Sequence, residues 1–138
     1  MKAKNNPLLY FVKTYPWSCL CVLCIWILCL IPIPDTPLSQ INLMDKWTHF
    51  VMFGGLCVLL WVEYGLKHRQ IDRQKTFFYA FLTPILLGAL VEIVQATCTG
   101  GNRSGDPLDF LADVVGVTLG TVIGIPLALI LSKRNKDS

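Results

Sequence analysis

His49, Glu92 and Asp113 are the residues from which chemistry is most to be expected. Each lies within an apolar run. A carboxylate at the centre of such a run costs about 2.5–3.5 kcal/mol on insertion scales, so an ionisable residue kept there marks a functional candidate. Histidine exchanges protons near neutral pH, and burial tunes such groups toward acid–base work. These three are therefore the candidate catalytic set. Around them stand Asp45, Lys46, Gln95, Arg103 and Asp109 as candidate ligand-binding residues. Of these, Lys46 and Arg103 suit an anionic group such as a phosphate. A histidine with carboxylates also suits a divalent cation in principle. No second histidine accompanies it, however, because His68 falls on the opposite side of the membrane, and no metal is assigned. No serine or cysteine nucleophile stands beside the histidine, no glycine loop cradles a phosphate, and no cofactor is named by these residues. Nothing suggests nucleic acid.

These side chains need elements to carry them. The chain is 54% hydrophobic and only 15% charged, against roughly 25% charged for a soluble domain. Apolar segments at about 17–34, 46–66, 77–97 and 108–131 each approach the ~20 residues that cross a bilayer. Backbone groups in lipid must be satisfied internally, so the segments are helices. The expected fold is all-α: residues 1–138 form a single four-helix transmembrane bundle with short outer loops. The first segment follows Lys2, Lys4 and Lys13 like a signal peptide, but it is too long for a signal core. It ends in Pro32 and Pro34 with no small-x-small cleavage site, which predicts a retained helix. Cys19, Cys21, Cys24, Cys29 and Cys57 lie in apolar runs and read as small fillers. Cys98 sits at a segment end, near solvent.

Basic residues set the orientation. The N-terminal tail, the KHRQIDRQK loop and the C-terminal tail carry ten of the 12 Lys and Arg residues, which places both termini in the cytoplasm. Asp45 and His49 are four residues apart, as are Asp109 and Asp113, and Glu92 and Gln95 are three apart. Each pair therefore shares a helix face. At ~1.5 Å per residue, His49, Glu92 and Asp113 lie about one turn below the outer interface. Gly116, Gly120 and Gly124 recur in register with Asp113, a small-residue stripe that lets a neighbouring helix approach. Gly54, Gly55 and Gly88 suit similar roles.

Plainer roles stand beside these. Asp45 and Asp109 sit where helices start, and suit the N-cap or the first turn beside the positive end of the helix dipole. Lys46 can snorkel to the interface, Arg103 can be a solvated loop charge, and Glu63 can pair with Lys67 across one surface turn. Internal pairs of Glu92 with His49 or Lys46 would simply lock the bundle.

Taken together, Asp45-Lys46-x-x-His49-Phe50, Glu92-x-x-Gln95, Arg103 and Asp109-x-x-x-Asp113-x-x-Gly116 resemble the VanZ-like family over about residues 40–124. That family comprises small bacterial membrane proteins named for a teicoplanin-resistance protein. Its pattern often has Asn where this chain has Asp113. The resemblance implies a multi-pass protein of the bacterial cytoplasmic (inner) membrane and cell envelope, linked to glycopeptide resistance. Its outward-facing polar site would bind, and in one version modify, an envelope precursor or lipid headgroup. Whether a reaction is catalysed stays open. The alternative is a non-catalytic accessory or scaffold subunit whose polar cluster is structural. A small transporter ranks lower, since four helices without inverted repeats offer little sign of alternating access. Expected partners are membrane lipids and an anionic envelope precursor or headgroup, with self-association left open.

Overall fold

Pro16 stands at the head of the first apolar run. Proline tolerates the first turn of a helix, where its missing N–H costs nothing, so a new helix starts there. In the computed structural model of the chain, residues 6–32, 37, 43–101 and 103–138 are described. Helix α1 spans Pro7–Thr14 and α2 spans Pro16–Leu30, with 99° between them. The helix expected over about 17–34 is α2, which starts at Pro16 and ends at Leu30, with the separate helix α1 ahead of it. At ~1.5 Å per residue, the 15 residues of α2 reach about 22 Å, short of the ~30 Å hydrocarbon core. The expected end at residue 34, most of the loop after it, and Lys2 and Lys4 lie outside the described residues.

The other spans run longer than the apolar segments alone predict. Helix α3 covers Met44–Lys67. A continuous helix then covers Arg73–Cys98, made of α4 (Arg73–Phe77), a π turn (Phe78–Leu82) and α5 (Thr83–Cys98). Pro84 explains the π turn, because its ring has no N–H for the carbonyl of Ala80 and the ladder must shift around it. Helix α6 covers Pro107–Asp137 and carries Lys133, Arg134 and Lys136, the expected tail, as helix. Among the described residues there is no strand. Three helices are long and apolar enough to cross a membrane, and a fourth span results if the bent α1–α2 pair counts as one.

The α3–α6 pair forms the closest contact of the bundle, and glycines allow it. A Cβ on Gly120 would lie 2.6 Å from the Gly54 carbonyl oxygen, and one on Gly54 would lie 2.9 Å from that of Gly116. Gly65 meets the Ala128 backbone in the same way, and Gly124 meets the Trp61 ring. Gly55, expected to join this set, faces open space. Gly88 serves a side chain instead: a Cβ there would lie 2.5 Å from Asp113 Oδ2. Phe53, Leu56, Cys57, Trp61, Val91 and Val117 fill the core between these helices.

The bundle also finishes its own helix ends. Glu63 does not pair with Lys67. It is 3% exposed, and its carboxylate accepts the Trp17 N–H at 2.9 Å, the Ser18 N–H at 3.0 Å and the Ser18 hydroxyl. Tyr15, at the cap position of α2, supplies no side-chain bond, so the first-turn donors would otherwise go without an acceptor. At the other end of α2, Gln95 Nε2 donates to the Cys29 carbonyl at 2.8 Å. Asn135 Nδ2 donates to the Gly65 and Leu66 carbonyls at the end of α3.

Two substitution tests follow from this packing. Gly120→Ala should destabilise the bundle by about 1–3 kcal/mol through overpacking, whereas Gly55→Ala should leave it at least as stable, since alanine is the better helix former. Thermal unfolding in detergent reads both. Glu63→Ala should cost about 1–3 kcal/mol by stranding buried N–H groups, and an unchanged melting midpoint would contradict that cap.

Candidate functional site

The turn between α5 and α6 is shaped by glycine. Gly100 and Gly101 adopt φ of 59° and 88°, a region that other residues rarely occupy. Gly105 runs so close to α5 that a Cβ would lie 2.6 Å from the Glu92 carbonyl oxygen. The loop therefore folds back over the ends of α5 and α6. The Thr99 hydroxyl accepts the Arg103 N–H at 3.1 Å and holds the loop's shape.

That loop delivers a residue sequence reading overlooks. Asp106 caps α6, its side chain accepting the Leu108 N–H at 2.9 Å. Its backbone N–H donates to Glu92 Oε2 at 2.7 Å, and Lys46 Nζ lies 3.1 Å from its Oδ2. The Leu108 N–H, and after it the Lys46 ammonium, hold the Asp106 carboxyl below its usual range. The sequence signal was Asp106-Pro107, an N-cap residue followed by proline at the first helical position. Of the two places expected for Asp109, the cap and the first turn, it takes the first turn of α6. Asp45 likewise lies in the first turn of α3, whose cap position is Leu43.

The structure brings the expected site residues to one end of the bundle, in two layers. In the outer-lying layer, Lys46 Nζ bridges Asp106 and Asp109, the latter at 3.2 Å. Arg103 Nη2 meets Asp45 Oδ1 at 3.2 Å. The Arg103 side chain is only 8% exposed, so it is a paired, nearly buried group and not a solvated loop charge. In the deeper layer, His49 Nδ1 lies 2.9 Å from Asp113 Oδ1 and 3.7 Å from Glu92 Oε1. His49 stacks on Phe53 at 6.0 Å between ring centroids, which fixes the ring plane. Gln95 turns its amide N–H toward α2 and its oxygen away from that bond.

His49 and Asp113 are fully buried, Gln95 nearly so, and Glu92 is 9% exposed. Their satisfaction is incomplete. His49 Nε2, Glu92 Oε1, Gln95 Oε1 and Asp113 Oδ2 have no hydrogen-bond partner among the described residues. Each such buried atom costs about 1–3 kcal/mol. Charge is unbalanced as well: Asp45, Glu92, Asp106, Asp109 and Asp113 face only Lys46, Arg103 and one histidine. The cluster offers acceptors and negative charge beneath two cations that already have partners. The cysteines are free thiols, with Cys29 and Cys57 packed in the core and Cys98 exposed.

Fold and site together define a small multi-pass membrane protein with an acidic polar cluster at one end of its helical bundle. The family model described as VanZ/LLP1 matches residues 17–131, and the chain belongs to that family. The match reaches beyond residues 40–124 to take in α2, whose ends are tied down by Glu63 and Gln95. Comparison with the curated proteins and with the solved structures gave no match.

The Lys46 bridge has a measurable strength. Lys46→Met should destabilise the protein, and Asp109→Asn should recover part of that loss in the double variant. A double-mutant cycle on thermal stability reads this coupling, and strict additivity of the two changes would contradict the bridge.

Proposed function

We propose that the cluster faces the outside of the cytoplasmic membrane of a bacterial cell. There it binds, and in one version modifies, the polar headgroup of an envelope lipid or lipid-linked precursor. One observation carries the reading: four buried polar atoms, on His49, Glu92, Gln95 and Asp113, lack partners among the described residues. A purely structural network satisfies its members, whereas a binding site keeps atoms for its ligand. Lys46 and Arg103 lie nearer the mouth, where they meet the anionic part of the headgroup. His49, with its ring held by Asp113 and Phe53, is the candidate for proton exchange at the floor. The outward orientation follows from the basic residues at the opposite end of the bundle. Glycopeptide (teicoplanin) resistance is the process this role would serve.

A second reading has its own support. The Lys46, Arg103 and Gln95 contacts tie α2, α3, α5 and α6 together, as expected of a non-catalytic scaffold subunit.

The test is teicoplanin susceptibility in a Gram-positive host lacking its own copy, with matched membrane levels of wild type, Glu92→Gln and His49→Ala. A rise in inhibitory concentration with wild type alone supports a working site. An equal rise in all three favours the scaffold, and no rise in any removes the resistance role. Labelling of Cys98 in intact cells by a membrane-impermeant maleimide checks the orientation in the same strains.

A further inference from the structure

We infer that His49, Glu92 and Asp113 hold a divalent cation of the manganese or zinc class. The inference deepens the proposed headgroup site and rests on that reading only for the ion's purpose, which is to meet the headgroup's anionic oxygen.

The donor geometry comes first. One atom from each of the three residues lies within 4.8 Å of the others. The His49 nitrogen is 2.9 Å from Asp113 Oδ1 and 3.7 Å from Glu92 Oε1. Metal bonds of ~2.0–2.2 Å place two donors about 3 Å apart at a right angle and about 3.4 Å apart in a tetrahedron. The two separations from His49 bracket those values, so small side-chain rotations of the carboxylates bring the three donors onto one ion.

The second observation is independent of proximity. Glu92 Oε1, the oxygen that faces His49 Nδ1, is buried without a hydrogen-bond partner among the described residues; Glu92 is only 9% exposed, and His49 and Asp113 are 0% exposed. The surroundings also position the donors as outer-shell groups do around metals. The Asp106 N–H fixes one Glu92 oxygen and leaves the other free. Gly88 leaves room for the Asp113 carboxylate, and Phe53 sets the His49 ring.

A competing trio, Asp45, His49 and Asp109, is also close enough. Its carboxylates already carry Arg103 and Lys46, whereas Glu92 and Asp113 have no permanent cation. Charge therefore selects the deeper trio. One imidazole with two carboxylates and no thiolate suits a borderline divalent ion better than a soft one. Three protein ligands leave coordination positions open, as in sites that bind an exogenous oxygen. An acidic floor then becomes compatible with an anionic headgroup, because the cation lies between them. Sequence reading assigned no metal for want of a second histidine; two carboxylates from other helices take that place.

The experiment uses the full chain purified in detergent with any polyhistidine tag removed, and Mn2+ alone as the probe. The expected result is one Mn2+ per chain, a raised melting midpoint, and nitrogen coupling from an imidazole in pulsed EPR. Glu92→Gln and Asp113→Asn should each weaken binding by more than about tenfold. Glu63→Gln, at the other end of the bundle, should leave it unchanged. Failure to bind Mn2+ or Zn2+, bound Mn2+ without nitrogen coupling, or binding indifferent to both site variants would overturn the inference. Should the variants not fold, the wild-type nitrogen coupling decides. Because lipid is absent from this assay, ion binding without any headgroup effect sinks only the proposed function. Headgroup binding without an ion sinks only this inference.

Discussion

The close approach of α3 and α6 is the constraint on which the rest of the molecule depends. Gly54, Gly65, Gly116 and Gly120 let the two backbones meet where any side chain would collide with main-chain atoms. In lipid, where tails are as apolar as leucine, such packing supplies much of the drive for association. It also sets the register. With Gly116 against Phe50 and Gly120 against Gly54, His49 and Asp113 can only be level with each other. The hydrogen-bonded pair at the heart of the site is thus a consequence of backbone contact one turn away.

The shorter helices are held by different means. Helix α2 has too few residues to cross the hydrocarbon as a free rod, and its ends are finished by side chains from its neighbours. Glu63 takes its first N–H groups and Gln95 donates to a carbonyl near its last turn. Asn135 does the same for α3 from the far end of α6. A polar group in lipid that lacks such a partner costs several kcal/mol. Buried polar residues therefore do two jobs. Glu63 is satisfied at a helix end and is structural, while His49, Glu92 and Asp113 keep free atoms; Gln95 does both, and Trp61 Nε1 in the core also lacks a partner among the described residues.

That division bears on chemistry. Lys46 and Arg103 are the side chains most suited to an anion, yet each already contacts carboxylates. Beneath them the exposed valence is that of acceptors. An acceptor-rich, negatively charged floor under a rim of paired cations attracts positive charge first. A cation at the floor reconciles that field with an anionic headgroup at the mouth.

Much of this was legible in the residues. The helical spans, the glycine stripe and the convergence of His49, Glu92 and Asp113 all follow from local rules. Those rules are the length of chain that crosses a bilayer, the repeat of a helix and the cost of burying charge. Partner choice was not legible, because it depends on which atoms of different helices come within about 3 Å. Glu63 looked like half of a surface pair with Lys67 and became the cap of α2. Asp109 lies in the first turn as one of its two expected places, but its pairing with Lys46 was not legible, and Asp106 took the cap. Helix α1 was equally hidden, because Pro7–Thr14 precedes the apolar run and read as part of the basic N-terminal tail. The sequence by itself determined that this is a helical membrane protein with a polar layer in its bundle, because composition and periodicity act along one chain. Only the tertiary structure decided which members of that layer are satisfied and which remain free, because hydrogen bonding in a bundle is a contest between helices.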